Sequence, residues 1–123
     1  MIMLKDNHVD YAGGVKLAIQ RANDYLEKTN KNLKIEIEVR NEQELAEAIE
    51  IGKVDRIMLD NFSPERIVAA LKTIPDSFEV EASGGITLDT IRSYAETGVD
   101  YISVGALTHS FQSLDMSLKA KYN

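Results

Sequence analysis

A chain of 123 residues, 44% of them hydrophobic, has the size of one small domain and too much apolar content for a disordered segment. Its formal net charge of -6 disfavours nucleic acid, whose phosphates ask for a basic surface. The lack of cysteine removes disulfide frameworks and thiolate metal sites, and no run approaches the roughly 18 apolar residues of a membrane span, so a soluble cytoplasmic protein with no membrane partner is expected.

Met1 to Leu4 reads as a buried strand, followed at once by the polar run Lys5-Asp6-Asn7-His8. Asp6 and Asn7 are expected to shape a turn that positions Lys5; His8 fits either role. Gly13-Gly14 reads as a loop-to-helix junction. The first helix is expected within Ala12 to Lys28, with Val15, Ala18, Ile19, Ala22 and Leu26 on one face. Leu33 to Arg40 alternates as a strand does. Asn41 and Glu44 carry capping-box chemistry ahead of a helix packed through Leu45, Ala48 and Ile49, with Gly52 ending it.

Ile57 to Leu59 forms the next strand. Ser63 and Pro64 open a helix with the stripe Ile67, Ala70, Leu71 and Ile74, which Pro75 stops. Phe78 to Ala82 is a fourth strand. Thr87 is expected to cap a helix packed through Leu88, Ile91, Tyr94 and Ala95, ended by Gly98. Tyr101 to Val104 is a fifth strand, and the tail alternates Leu114, Met116, Leu118, which suits an extended segment or a helix.

Glu38, Asp60, Ser83 and Gly105 recur at a nearly constant interval, the length of one strand, one helix and two short loops. Such crossovers join parallel strands. Consecutive βα units without a GxGxxG or Walker loop favour an arc of a TIM-like α/β barrel over an open nucleotide-binding sheet. A full ring takes about 250 residues, so the expectation is about five strands of an incomplete barrel, a fragment or a piece completed by another chain.

Alternation assigns faces. Ile35, Ile37, Val39, Ile57, Leu59, Val80 and Ala82 point to the helices, whereas Glu36, Glu38, Met58, Asp60, Glu79, Glu81 and Ser83 point inward. Inward carboxylates are costly unless paired, bound to a cation or wetted at the rim. Glu38 and Asp60 fall at strand C-termini, where barrel enzymes keep their sites. Either alone reads equally well as a helix cap or rim salt bridge; with Lys5 at an equivalent position, a site is favoured. Ser83-Gly84-Gly85 and Gly105-Ala106 let backbone N–H groups approach a phosphate closely. His109 follows and either donates to that phosphate or lies on the surface. Neither histidine has zinc-site spacing, and Mg²⁺ held by Glu38, Asp60 and substrate oxygens fits the donors better.

The runs LKDNH, IEIEV, MLDNFSPE, EASGGIT, YAETGVDYISVGALTHS and LDMSL, in this order, resemble the C-terminal barrel of the quinolinate phosphoribosyltransferase family across essentially the whole chain. The resemblance implies conversion of quinolinate and phosphoribosyl pyrophosphate to nicotinate mononucleotide, CO₂ and pyrophosphate with Mg²⁺, in NAD biosynthesis. It implies that Lys5 contacts anionic groups of the substrates. Glu38 and Asp60 match the acidic pair near the ribose, pyrophosphate and Mg²⁺, and Ser83, Gly84, Gly85 and Gly105, with His109, match the 5-phosphate loops. Glu81 is expected to be structural or to support the substrate-contacting residues from behind. Family members form homodimers and have an N-terminal domain and earlier barrel strands, with arginines for quinolinate, that do not precede Met1 here. Residues 1–123 are therefore expected to be the C-terminal part of the barrel, inactive alone. The competing readings are a paralogous barrel associated with molybdenum transport, a non-catalytic phosphate-binding half-barrel and, least favoured, a generic phosphate-binding barrel isomerase.

Overall fold

The computed structural model describes residues 1–108 together with Lys119 and Lys121. Its elements run β1 (Ile2–Leu4), α1 (Asp6–Ala12), α2 (Val15–Thr29), β2 (Ile35–Val39), α3 (Glu42–Ile51), β3 (Arg56–Asp60), α4 (Pro64–Leu71), β4 (Glu79–Ser83), α5 (Ile91–Ala95) and β5 (Tyr101–Ile102). A 3₁₀ turn over Gly105–Leu107 follows. His109 and the alternating tail residues Leu114, Met116 and Leu118 lie outside the described residues.

The strands form one five-stranded sheet in chain order, and every neighbouring pair is parallel. An order that never reverses has no switch point of the nucleotide-binding kind and winds in one sense, as an arc of a TIM-like α/β barrel does. The helices cover one face. Ile35, Ile37, Val39, Ile57, Leu59, Val80 and Ala82 are buried there with Ile19 of α2, Ala48 of α3 and Ile67 of α4. Period-two strand patterning and period-3.6 helix patterning therefore meet in a single core.

Two caps form where the sequence places them. The Asn41 side chain accepts from the Glu44 amide at 2.9 Å, while Glu44 Oε2 accepts from the Arg40 amide at 2.8 Å, so the reciprocal bond reaches one residue further back than in a standard capping box. Ser63 accepts from the Arg66 amide, with Pro64 opening α4.

Two expectations are corrected. Asp6, Asn7 and His8 form the first turn of a helix, not a loop. Lys5 is its extended N-cap, and the Lys5 amide donates to His8 Nδ1 at 3.0 Å. Val9 anchors that helix in the core, and Gly13, at φ 92, ends it in the left-handed region that favours glycine. The stripe assigned to a first helix therefore belongs to the second. The other correction is at Thr87. The Thr90 hydroxyl accepts from the Thr87 amide at 2.9 Å and holds Thr87 to Thr90 as a turn, so α5 starts only at Ile91 and Leu88 is exposed.

Candidate functional site

Above the inward face, at the C-terminal ends of the strands, lies a cavity of about 670 Å³ lined by Met3, Lys5, Glu38, Met58, Ser83, Gly84, Gly85, Ile86, Thr87, Ser103, Gly105 and Ala106. Each position follows from strand parity. Glu38 lies two residues beyond Glu36 on β2, and Lys5 emerges where β1 ends. Ser83 ends β4, two residues beyond Glu81. Lys5, Glu38, Ser83, Gly84, Gly85 and Gly105 of the sequence-predicted set therefore meet at one opening.

Asp60 does not line the cavity. Its carboxylate accepts from the side-chain amide of Asn61 at 2.9 Å, and its charge is felt by Glu38. Burial raises the Glu38 carboxyl above its ordinary range, with the neighbouring charges of Asp60 and then Asp6 adding to the rise; Lys5 and the Asp6 amide oppose it. A carboxyl made costly by burial and by a second carboxylate beside it suits a hard cation with oxygen ligands. Among the described residues no three His, Cys, Asp or Glu side chains cluster as a metal site. Glu38 and Asp60 offer carboxylate oxygens, the donor type of which Mg²⁺ takes one or two while phosphate and water complete its shell.

The two glycine loops differ. Gly84 and Gly85 both have positive φ, at +94 and +61, and Gly84 packs against Asn61, so the loop after β4 locks onto the residue beside Asp60. Gly105 has open space around it and begins the 3₁₀ turn. At the opposite rim, Lys119 Nζ meets Asp6 Oδ2 at 2.8 Å, which holds the Asp6 carboxyl below its usual range.

Beneath the cavity, the sheet's inward face carries a charged cluster whose cation the sequence reading missed. Arg56 at the start of β3 bonds Glu79 Oε2 at 3.0 Å and Glu81 Oε2 at 2.9 Å, and its guanidinium stacks on the Tyr101 ring at 3.7 Å. Glu36 is 1% exposed, 4.0 Å from Arg56, and its Oε1 has no hydrogen-bond partner among the described residues. The available signal was parity: Arg56 shares a face with Met58 and Asp60, the face on which unpaired carboxylates were expected to need a partner.

Burial, followed by the hydrogen bond and charge of Glu81, pushes the Glu36 carboxyl up to about 7. A carboxyl raised on folding favours the folded state below its unfolded range, and that contribution is lost as pH rises through about 7. Glu36→Gln is therefore expected to raise the thermal midpoint at pH 8 and to change it little at pH 5. A lower midpoint at pH 8, read by scanning calorimetry, contradicts this account.

The family model for the quinolinate phosphoribosyl transferase C-terminal domain matches residues 1–119. The chain belongs to this family. It is 51% identical to the probable nicotinate-nucleotide pyrophosphorylase [carboxylating] of Methanocaldococcus jannaschii, over 95% of this chain and 42% of that protein. It is 38% identical to the chloroplastic nicotinate-nucleotide pyrophosphorylase [carboxylating] of Arabidopsis thaliana, over 97% of this chain and 38% of that protein. Among solved structures, the Francisella tularensis nicotinate-nucleotide pyrophosphorylase superimposes with a TM-score of 0.78 at 40% identity, over 94% of this chain and 40% of that one. NadC from Streptococcus pyogenes gives a TM-score of 0.78 at 43% identity, over 97% and 40%. The chain of this quinolinate phosphoribosyltransferase family member thus spans about two fifths of the length of its relatives. Among its described residues no helix is long and apolar enough to cross a membrane.

Proposed function

We propose that the chain is the C-terminal part of the barrel of a cytoplasmic enzyme that converts quinolinate and phosphoribosyl pyrophosphate to nicotinate mononucleotide, CO₂ and pyrophosphate, and that works as a homodimer. The observation that carries this reading is the meeting of Lys5, Glu38 and the Ser83–Gly85 and Gly105 loops around one cavity.

The backbone N–H groups of Gly84, Gly85 and Gly105 hold the 5-phosphate, which no Cβ obstructs. His109 is assigned to the same phosphate. Lys5 neutralises a carboxylate of quinolinate or a phosphate oxygen. As pyrophosphate departs, positive charge builds on the anomeric carbon, and the preorganised carboxylates of Glu38 and Asp60 stabilise it. The pyridine nitrogen attacks that carbon; loss of CO₂ then leaves an electron pair on the neighbouring ring carbon, which the quaternised nitrogen stabilises until a proton from water completes the C–H bond. Glu38 and Asp60 would also hold Mg²⁺, which when bound neutralises charge on the leaving group.

Recognition of two adjacent carboxylates calls for arginine. Arg40 is engaged by Asp10 and Glu44, Arg56 by Glu79 and Glu81, Arg66 by Glu42 and Arg92 by Glu96, and neither these nor Arg21 lines the cavity. The quinolinate arginines are therefore assigned to the rest of the full-length enzyme, and residues 1–123 alone are inactive. The full-length enzyme is expected to release pyrophosphate and CO₂ from the two substrates, and Glu38→Gln to lower turnover roughly a hundredfold. Product formation by the isolated chain, or none by the full-length enzyme, overturns the assignment.

A further inference from the structure

Ser103 lines the cavity beside Ser83 and Gly105, and nothing in the residue pattern singles it out. Its amide donates to the Ala82 carbonyl at 2.9 Å, which sets it beside the end of β4, on the same face as Ser83. Its hydroxyl donates to Glu81 Oε1. Glu81 is 6% exposed, and its other oxygen accepts from Arg56 Nη1 at 2.9 Å. Arg56 in turn is pinned by Glu79 and the Tyr101 ring. The acceptor of the serine proton is thus fixed from below by a chain of directional contacts.

A serine hydroxyl has one proton to give and lone pairs to receive. One Glu81 oxygen accepts from a guanidinium, which has donors and no acceptor, and the other accepts the serine proton. With its proton committed to Glu81, Ser103 turns lone pairs toward the cavity. The glycine loops next to it offer backbone N–H donors. The cavity therefore carries two chemistries side by side: donors that suit an anion, and an acceptor that suits a hydroxyl and repels a phosphate oxygen.

We propose that Ser103 is a specificity residue that accepts a hydrogen bond from a hydroxyl of the sugar phosphate bound in this cavity, with Glu81 as the positioning residue that turns its proton away. The inference rests on the reading of the cavity as a sugar-phosphate site. It separates ligands that pair an anion with hydroxyls from ligands that are anion alone.

Calorimetric titration of the full-length protein with ribose 5-phosphate and with inorganic phosphate tests this. Ser103→Ala is expected to weaken ribose 5-phosphate roughly three- to tenfold, the usual weight of one net hydrogen bond, and to leave inorganic phosphate within about twofold. Ser103→Thr, which keeps the hydroxyl, retains the wild-type ratio of the two affinities. Glu81→Gln turns its carbonyl to Arg56 and its amide to Ser103, which sends the serine proton into the cavity; the ribose 5-phosphate advantage falls and inorganic phosphate binds no worse. Equal loss of both ligands in Ser103→Ala means that Ser103 donates to the phosphate, and overturns the proposal. No change for either ligand overturns it as well. A wild-type protein that binds neither ligand removes the sugar-phosphate reading and this inference together, a result distinct from failure of the inference alone. Should Glu81→Gln fail to fold, the two Ser103 variants decide the matter, since that side chain borders open cavity.

Discussion

Replacing Gly84 by alanine is expected to destabilise the protein by about 3 kcal/mol or more and, on the proposed reading of the cavity, to abolish phosphate binding. Two costs add. Gly84 sits at φ +94, a conformation that side chains rarely adopt, and a Cβ there would lie 2.7 Å from the Asn61 backbone nitrogen. Backbone cannot swing aside as the end of a side chain can. Asn61 is itself left-handed at φ 56, and its amide donates to the Ser83 carbonyl at 2.9 Å, so neither partner in this contact has slack. Its side chain also holds Asp60, so the displacement reaches the acidic rim. Gly85 provides the control: its φ is +61, but nothing lies within 4 Å of its Cβ position. Gly85→Ala should therefore cost only about 1–2 kcal/mol, the penalty of the left-handed region alone. Chemical denaturation of both variants checks the order, and a Gly84→Ala protein as stable as Gly85→Ala sinks the close-approach argument.

Much of this site was legible because parity along a strand is a strong constraint. Once Ile35, Ile37 and Val39 were assigned to the helix-covered face, Glu38 had to point inward. The same holds for Ser83 against Val80 and Ala82. Lys5 and Gly105 were readable from chain position, each just past a buried strand. Short elements were not readable. The helix from Asp6 to Ala12 buries Val9 fully and packs Ala12 against the core edge, too little for a periodicity to register, and its His8 reciprocal bond is not standard capping chemistry. The start of α5 was misjudged because either Thr87 or Thr90 suits a cap by type, and only the folded turn shows which hydroxyl wins the amide. Ser103 escaped because its role comes from the orientation of one proton, fixed by Glu81 on the next strand, which residue spacing does not encode.

The Arg56 cluster was half legible, and its energetics give the other large expectation. Inward Glu36, Glu79 and Glu81 demanded a partner, and one guanidinium with donors on several edges serves them while stacking on Tyr101. Lys34 reaches Glu79 alone, at 3.1 Å. Arg56→Met keeps most of the side-chain length but leaves Glu81 and Glu36 buried without a cation. The expected loss is about 3–5 kcal/mol at pH 8, the usual cost of stranding one half of a buried pair. The sign of its pH dependence follows from the same charges. Without Arg56 the carboxyls ionise less readily in the fold, the folded state binds protons that the unfolded chain has released, and stability falls as pH rises. The defect should therefore be smaller at pH 5 than at pH 8. Adding Glu36→Gln and Glu81→Gln should recover part of the pH 8 loss, because neutral amides do not need the cation. Urea denaturation at both pH values separates this from a packing defect: a loss that is equal at pH 5 and pH 8, and untouched by the two glutamines, would assign Arg56 to packing on Tyr101 and not to charge.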